Sequence, residues 1–552
     1  MFDKRTILAF ILIAIIFIFW QILWQPPAPP PEQQAADSTA VPVAATESRQ
    51  LPQPVVHDAV IDSNTVVAMD MIPEQLIRVE TDFYTATLSN KGGGLINLLL
   101  KYYTYADSGN VFLLGEENQQ ATPSLISKSN DFSDQDFVYL TEDNDLTLSG
   151  ENNSGTVTFT AMLPSGSIIT KEFTFFGDSH HFDLRVTIDG VESSGLVKEY
   201  VLAWLPGIPP TEENRADDYS NYRGGAYLSG DMYKYDSFDD NRLLEDHSGS
   251  AEWVGSRSKY FAYAIIPRET ISSGAYVIGE KREIRQPDGS YEMRQISAGV
   301  VMPLAGHNDL DNRFTIYAGP LDYQILKKYD VNLEDFIDWG WKILQPFSLA
   351  VYWGVYAIHQ VIPNYGIVVM LVAILLKVLT YPLTKKQLKS MRAMQALQPK
   401  IEEIKAKYKD NPQKMNQMVM KLYKQEKVNP FGSCLYMLPQ MPFFIGLYQV
   451  FRSTFELRQA YFIFYWPDLS QPDPFPYVMP LIMCVAMFLQ QKLTMTDPKH
   501  KMMIYLMPIL FFFLFKGLPV GLVLYWTSFS VLSIFEALTI RRPQKVMNPQ
   551  VK

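Results

Sequence analysis

The sequence predicts a polytopic α-helical membrane protein with six spans and a large exported all-β domain, and three observations carry that prediction. Long uncharged apolar runs stand near the N-terminus and repeatedly after residue 363. Between them lies a long stretch of alternating apolar and polar residues broken by turn signals. The charges also divide: residues 6–335 hold 47 acids against 22 bases, whereas residues 336–552 hold 10 acids against 24 bases. The formal charge of −10 on the 552-residue chain therefore averages two segments built for different surroundings.

The first element is TILAFILIAIIFIFWQILW, residues 6–24, behind Lys4 and Arg5. Nineteen uncharged residues suffice to cross a ~30 Å hydrocarbon layer, and no small-x-small cleavage pattern follows. Residues 1–24 read as an uncleaved signal-anchor with Trp20 and Trp24 at the far interface; a removed signal peptide is the rival reading. Residues 25–57, rich in Pro, Ala and Gln, form a tether that cannot bury a core. Residues 58–332 carry the β pattern, as in TVTFTAMLPSGSIITKEFTFF, and their length suits one large sandwich. Neither cysteine, Cys434 nor Cys484, falls there, so the domain depends on its core rather than on disulfides. His180 and His181 follow a turn at Gly177-Asp178 and make an acid–base site conceivable, but no spacing singles out a catalytic pair. No catalytic, metal or cofactor site is assigned.

Topology follows from the remaining apolar runs. Spans are expected at 364–384, 431–453, 475–493, 502–516 and 518–540. The uncharged stretch inside 333–363 is also long enough to span. If it did, the loop 385–430 would lie outside; yet that loop carries twelve bases against four acids, and basic loops stay cytoplasmic. Residues 333–363 are therefore expected as an amphipathic helix on the outer interface, with Trp339, Trp341, Tyr352, Trp353 and Tyr356 at the headgroups. Both termini then face the cytoplasm, in agreement with the short basic tail 541–552. Within 385–430 apolar residues recur at helical spacing on either side of Asp410-Asn411-Pro412, which reads as a basic helical hairpin. Its Lys385, Lys386, Lys389, Arg392, Lys405 and Lys407 suit phosphate groups of lipid or of ribosomal RNA. The run 502–516 would rise about 22 Å as a helix, short of the ~30 Å layer, and a short span thins the bilayer around it.

YPLTKKQLKSM, LQPKI, KLYKQEKVNP, LPQMPFFIGLYQV, ELRQA and LPVGLVLYW together resemble the YidC family of membrane protein insertases, over essentially all of residues 330–540. The order of anchor, tether and exported β domain resembles the family's Gram-negative form. The resemblance implies a periplasmic β-supersandwich similar to sugar mutarotases. It implies five spans around a hydrophilic groove open to the cytoplasm and to lipid, and function without covalent chemistry, nucleotide or metal, alone or beside the Sec translocon. Nascent inner-membrane proteins, Sec components, membrane lipids and, weakly, the ribosome are the implied partners. The family's groove carries a positive residue, usually arginine, which falls here on Lys377. A lysine keeps the charge but lacks the guanidinium's bidentate fork. Gln440, Tyr525 and Trp526 would line the groove, Cys434 would stand at the cytoplasmic end of the third span, and Pro439 and Pro442 would free backbone carbonyls beside water or simply kink that helix.

Two rivals remain. In a transporter or channel, Lys377 would be an ion or proton site; against this, no second charge within the spans is expected to pair with it, Glu536 being placed at the interface. A tethered carbohydrate-binding protein would put the function in the exported domain. Lys377 itself has a plainer reading, in which it snorkels to the cytoplasmic edge.

Overall fold

The structure is a computed structural model that describes residues 72–540, apart from 106–108, 116–119, 130–131, 152, 287–288, 305–307, 410, 427, 429–439, 464–465, 476 and 495–500. The expected signal-anchor, the tether, the basic tail, Cys434 and Pro439 lie outside the described residues. The chain divides into two compact units, one ending at Phe336 and the other beginning at Ile337.

The first unit is built from two five-stranded sheets and one eight-stranded sheet. Alternation dictates the fold locally. In Ile168–Phe176 every second residue is buried, and antiparallel pairing with His181–Asp189 aligns the buried positions Ile169, Phe173 and Phe175 with Ile188, Leu184 and Phe182. Their rings pack at 5.4–6.4 Å between centroids. Each large side chain so buried contributes on the order of 2 kcal/mol. One position breaks the apolar rule. Lys171 lies in the inward register and is fully buried. Its Nζ donates to the carbonyls of Gly92 at 2.9 Å and Pro123 at 3.2 Å and pairs with Asp134, equally buried. Asp134 in turn accepts from the Leu125 amide at 2.8 Å and the Tyr139 hydroxyl at 3.0 Å. Every strong donor and acceptor of this pair is therefore engaged.

The second unit is helical: α1 (Gln345–His359), α2 (Tyr365–Ala396), α3 (Gln398–Lys407), α4 (Pro412–Gln425), α5 (Gln440–Ser453), α6 (Val478–Thr494), α7 (Lys501–Phe515) and α8 (Val520–Ile540). Among the described residues, Tyr365–Gln387 and Val520–Thr539 are long and apolar enough to cross a membrane, and Val478–Leu493 and Ile504–Phe515 are shorter apolar helices. α1 crosses α5 closely because Gly446 lacks a side chain; a Cβ there would stand 3.0 Å from the Phe347 backbone.

Two expectations are corrected. Trp339 and Tyr352 do not stand free for headgroups: they are 3% and 2% exposed, edge to face with centroids 5.4 Å apart, and the Trp339 carbonyl accepts from the Ser348 hydroxyl at 3.0 Å. Trp341 and Trp353 are exposed. Residues 385–396 are not part of a hairpin but continue α2 as one 32-residue helix. KKQLKSMRAMQA holds only good helix formers apart from one serine, so nothing stops the helix before LQP. The hairpin proper is α3 and α4. The apolar side of α4 is a half-buried stripe of Met415, Met418, Val419, Leu422 and Tyr423, and Lys400 of α3 pairs with Glu426 just past α4 at 2.6 Å.

Candidate functional site

Lys377 stands twelve residues into α2, about 18 Å of helical rise from its start. An apolar helix carrying one lysine must find that charge a partner, because an ammonium at the centre of a bilayer costs on the order of 2.5–3.5 kcal/mol on insertion scales. α8 supplies it. Ser533 and Glu536, three residues apart on α8, are neighbours on the helix surface. Lys377 Nζ donates to Ser533 Oγ at 2.8 Å and reaches Glu536 Oε2 at 2.8 Å, with the Phe529 ring 4.4 Å away. The Ser533 hydroxyl passes its own proton to the Phe529 carbonyl at 2.8 Å. Both charged side chains are nearly enclosed, 11% and 9% exposed. Hydroxyl, ring face and carboxylate together offset the desolvation of the ammonium. The other carboxylate oxygen, Glu536 Oε1, is buried without a hydrogen-bond partner.

This corrects the expectation that Lys377 has no ion partner within the spans. Packing of α8 on α2 brings Ser533 and Glu536, thirteen and sixteen residues into α8, against Lys377, twelve residues into α2. The lack of a paired charge therefore no longer counts against a transporter. The lysine is held between two helices by Ser533 and Glu536.

The other expected groove residues separate. Tyr525 is 3% exposed and lies one turn from Phe529, with ring centroids 6.1 Å apart. Trp526 belongs to a different, aromatic cluster, 4.9 Å from Phe444 of α5 and 5.5 and 5.4 Å from Phe511 and Phe515 of α7. It ties three helices together by packing. Gln440 begins α5 and Pro442 is half-buried two residues on. Lys385, Lys386, Lys389 and Arg392 stand on the extension of α2, the first two exposed; Lys405 and Lys407 stand on α3, half-buried and exposed. Sequence reasoning missed Ser533 and Glu536, and the signal that would have found them is the three-residue polar spacing within an apolar span.

In the β unit the histidines are packing residues. His180 is buried against Phe83, with ring centroids 4.3 Å apart, and burial pushes it down to about 4, so it is neutral at pH 7. His181 Nδ1 lies 2.5 Å from the Ser179 hydroxyl and 3.1 Å from that of Tyr329, and burial lowers its affinity for a proton as well. A separate open cleft of about 790 Å³ is lined by Tyr105, Phe112, Pro209, Tyr219, Arg215 and Arg294 among others. Among the described residues, no three His, Cys, Asp or Glu side chains gather as a metal site.

Comparison with known proteins agrees with this two-unit layout. The family model described as "YidC periplasmic domain" matches residues 76–350, and the one described as "60Kd inner membrane protein" matches residues 357–548. The membrane protein insertase YidC of Chlorobaculum tepidum is 33% identical over 96% of this chain and 93% of its own. That of Chlorobium luteolum is 33% identical over 100% of this chain and 97% of its own. Among solved structures, an active YidC insertase crystal structure with the first transmembrane domain resolved covers 88% of this chain and 98% of its own at 20% identity, with a TM-score of 0.37. The extent of the match to the two curated relatives settles the assignment: the chain belongs to the YidC family of inner-membrane protein insertases, and its β unit is the family's periplasmic domain.

Proposed function

We propose that this insertase passes the polar outer tail of a client along the seam between α2 and α8, with Lys377 as the attracting charge. The observation that carries the reading is an ammonium enclosed between two long apolar helices, bonded there to a serine hydroxyl and a carboxylate. A positive charge in a low-dielectric recess attracts an acidic or polar tail and holds it part way across while the client's apolar helix moves into lipid. The attraction must be modest, because a tail held tightly would not leave.

In this reading six spans place both termini in the cytoplasm and the β domain in the periplasm. α7, about 22 Å long over its 15 residues, thins the surrounding bilayer and shortens the apolar distance a tail crosses. The exposed bases Lys385, Lys386 and Lys407, together with Lys389, Arg392 and Lys405, meet lipid phosphates and, weakly and with steep salt dependence, the ribosome. The Sec translocon is the expected partner for larger clients. Tyr525, one turn from Phe529, borders the seam, while Trp526 acts through packing.

The test is insertion of single-span clients differing only in tail charge into proteoliposomes holding equal amounts of each folded variant. Lys377→Arg should preserve insertion. Lys377→Ala and Lys377→Glu should impair it, most for acidic tails and least for neutral ones. Full activity of Lys377→Ala on acidic tails would end the proposal.

A further inference from the structure

We propose that Glu536 is the selectivity residue of this site: in the unloaded insertase its carboxylate occupies the anion position beside Lys377, and a client's acidic tail enters by displacing it. This rests on the reading of Lys377 given above and extends it from attraction to competition. Glu536 presents the same chemical group that an aspartate or glutamate in a client tail would bring. Its Oε2 sits 2.8 Å from the ammonium, where such a tail would have to bind. The rest of the socket does not depend on it. Ser533 Oγ is fixed by its own hydrogen bond to the Phe529 carbonyl, and the Phe529 ring faces the ammonium from 4.4 Å. A carboxylate can therefore be exchanged while hydroxyl and ring remain in place.

The pair is also incompletely held. Glu536 Oε1 is buried and has no hydrogen-bond partner, although the side chain is only 9% exposed. An enclosed carboxylate with one oxygen unmatched keeps part of its desolvation cost, so its hold on the lysine is weaker than full coordination would give. Glu536 is moreover four residues from the end of α8 at Ile540, about 6 Å of rise, so the displaced side chain has a short path to the helix end.

Competition has a signature that simple attraction lacks. The occupied pair is neutral, so a neutral tail gains nothing from the site and a tail with a single acid must outcompete a carboxylate already tethered beside the ammonium. Tails with several acids succeed by number. Glu536 thus sets a threshold of tail acidity.

The experiment uses the full-length protein in proteoliposomes and clients with tails of none, one or several acidic residues. Glu536→Gln, nearly isosteric and uncharged, should raise insertion of the single-acid client roughly tenfold, the scale of one charged hydrogen bond, and leave the neutral client unchanged. Glu536→Asp, which retains the charge, should keep the wild-type threshold. Combined with Lys377→Ala, Glu536→Gln should no longer alter the dependence on tail charge. If Lys377→Ala abolishes that dependence but Glu536→Gln leaves the threshold where it was, or Glu536→Asp lowers it as much as Gln does, Glu536 is not the competitor and the role of Lys377 stands alone. If Lys377→Ala retains the dependence, the lysine reading fails and the competition with it.

Discussion

Each unit of the chain holds a lysine enclosed against an enclosed acid, Lys171 with Asp134 and Lys377 with Glu536, and the two pairs are finished differently. In the β unit Lys171 and Asp134 are fully enclosed and share their remaining capacity with two carbonyls, an amide and a tyrosine hydroxyl. In the helical unit Lys377 and Glu536 keep a remnant of exposure, bond one serine and leave a carboxylate oxygen unmatched. A saturated pair locks neighbouring loops to a strand. A half-saturated pair can exchange partners, which is what a transient client requires.

The comparison breaks most visibly if the two lysines respond alike to removal. Lys171→Met leaves Asp134 enclosed without its cation and should destabilise the β unit by about 3–5 kcal/mol, read as faster hydrogen exchange in strands Ile168–Phe176 and His181–Asp189, with no change in client selectivity. In the helical unit, the double replacement Lys377→Met with Glu536→Leu should leave thermal stability in detergent unchanged or up to about 2 kcal/mol higher, because no unmatched charge remains, while selectivity for acidic tails disappears. A large loss of stability in that double variant would make the second pair structural like the first.

A pH series sharpens the account of the β unit. His180 is pushed from 6.5 to about 4 by burial, so the stability it confers is present above pH 6.5 and is lost as the pH falls through about 4, by about 3 kcal/mol in full. Asp218, raised by burial to about 6, acts with the opposite sign, its contribution being present below about 3.8 and lost as the pH rises through about 6. The difference in denaturation midpoint between wild type and His180→Phe isolates the histidine and should move in favour of the variant as the pH drops. Trp526→Ala should destabilise the helical unit by about 2 kcal/mol, and Trp526→Phe much less, if the residue works by packing among Phe444, Phe511 and Phe515. The smallest effect belongs to the exposed pair Arg185–Asp311, whose side chains are 40% and 48% exposed; Arg185→Ala should cost less than about 1 kcal/mol by chemical denaturation.

Local pattern made much of this legible. Alternation marks the strands, apolar runs mark α2 and α8, and a lone lysine in ILLKVLT points to the site. The partner of that lysine is hidden because no periodicity links α2 to α8, 156 residues apart at Lys377 and Ser533, whose packing brings Glu536 to the ammonium. The family resemblance puts Trp526 in the groove beside Tyr525, but consecutive helical residues point about 100° apart, and Trp526 packs among Phe444, Phe511 and Phe515 instead. Lys171 was readable as a lysine in an inward strand register, but Asp134 lies 37 residues away in sequence on a short helical turn, and no periodicity links them. The order of strands in the three sheets was not readable at all, since pairings such as Leu125 with Leu202 join distant segments.

Reversing the charge at Lys377 tests the central claim most directly. With Lys377→Glu in proteoliposomes free of a membrane potential, insertion of acidic-tailed clients should fall and that of clients with a short basic tail should rise, inverting the wild-type order of preference. If acidic tails remain preferred over basic ones by the same factor, the charge between α2 and α8 does not read the client tail.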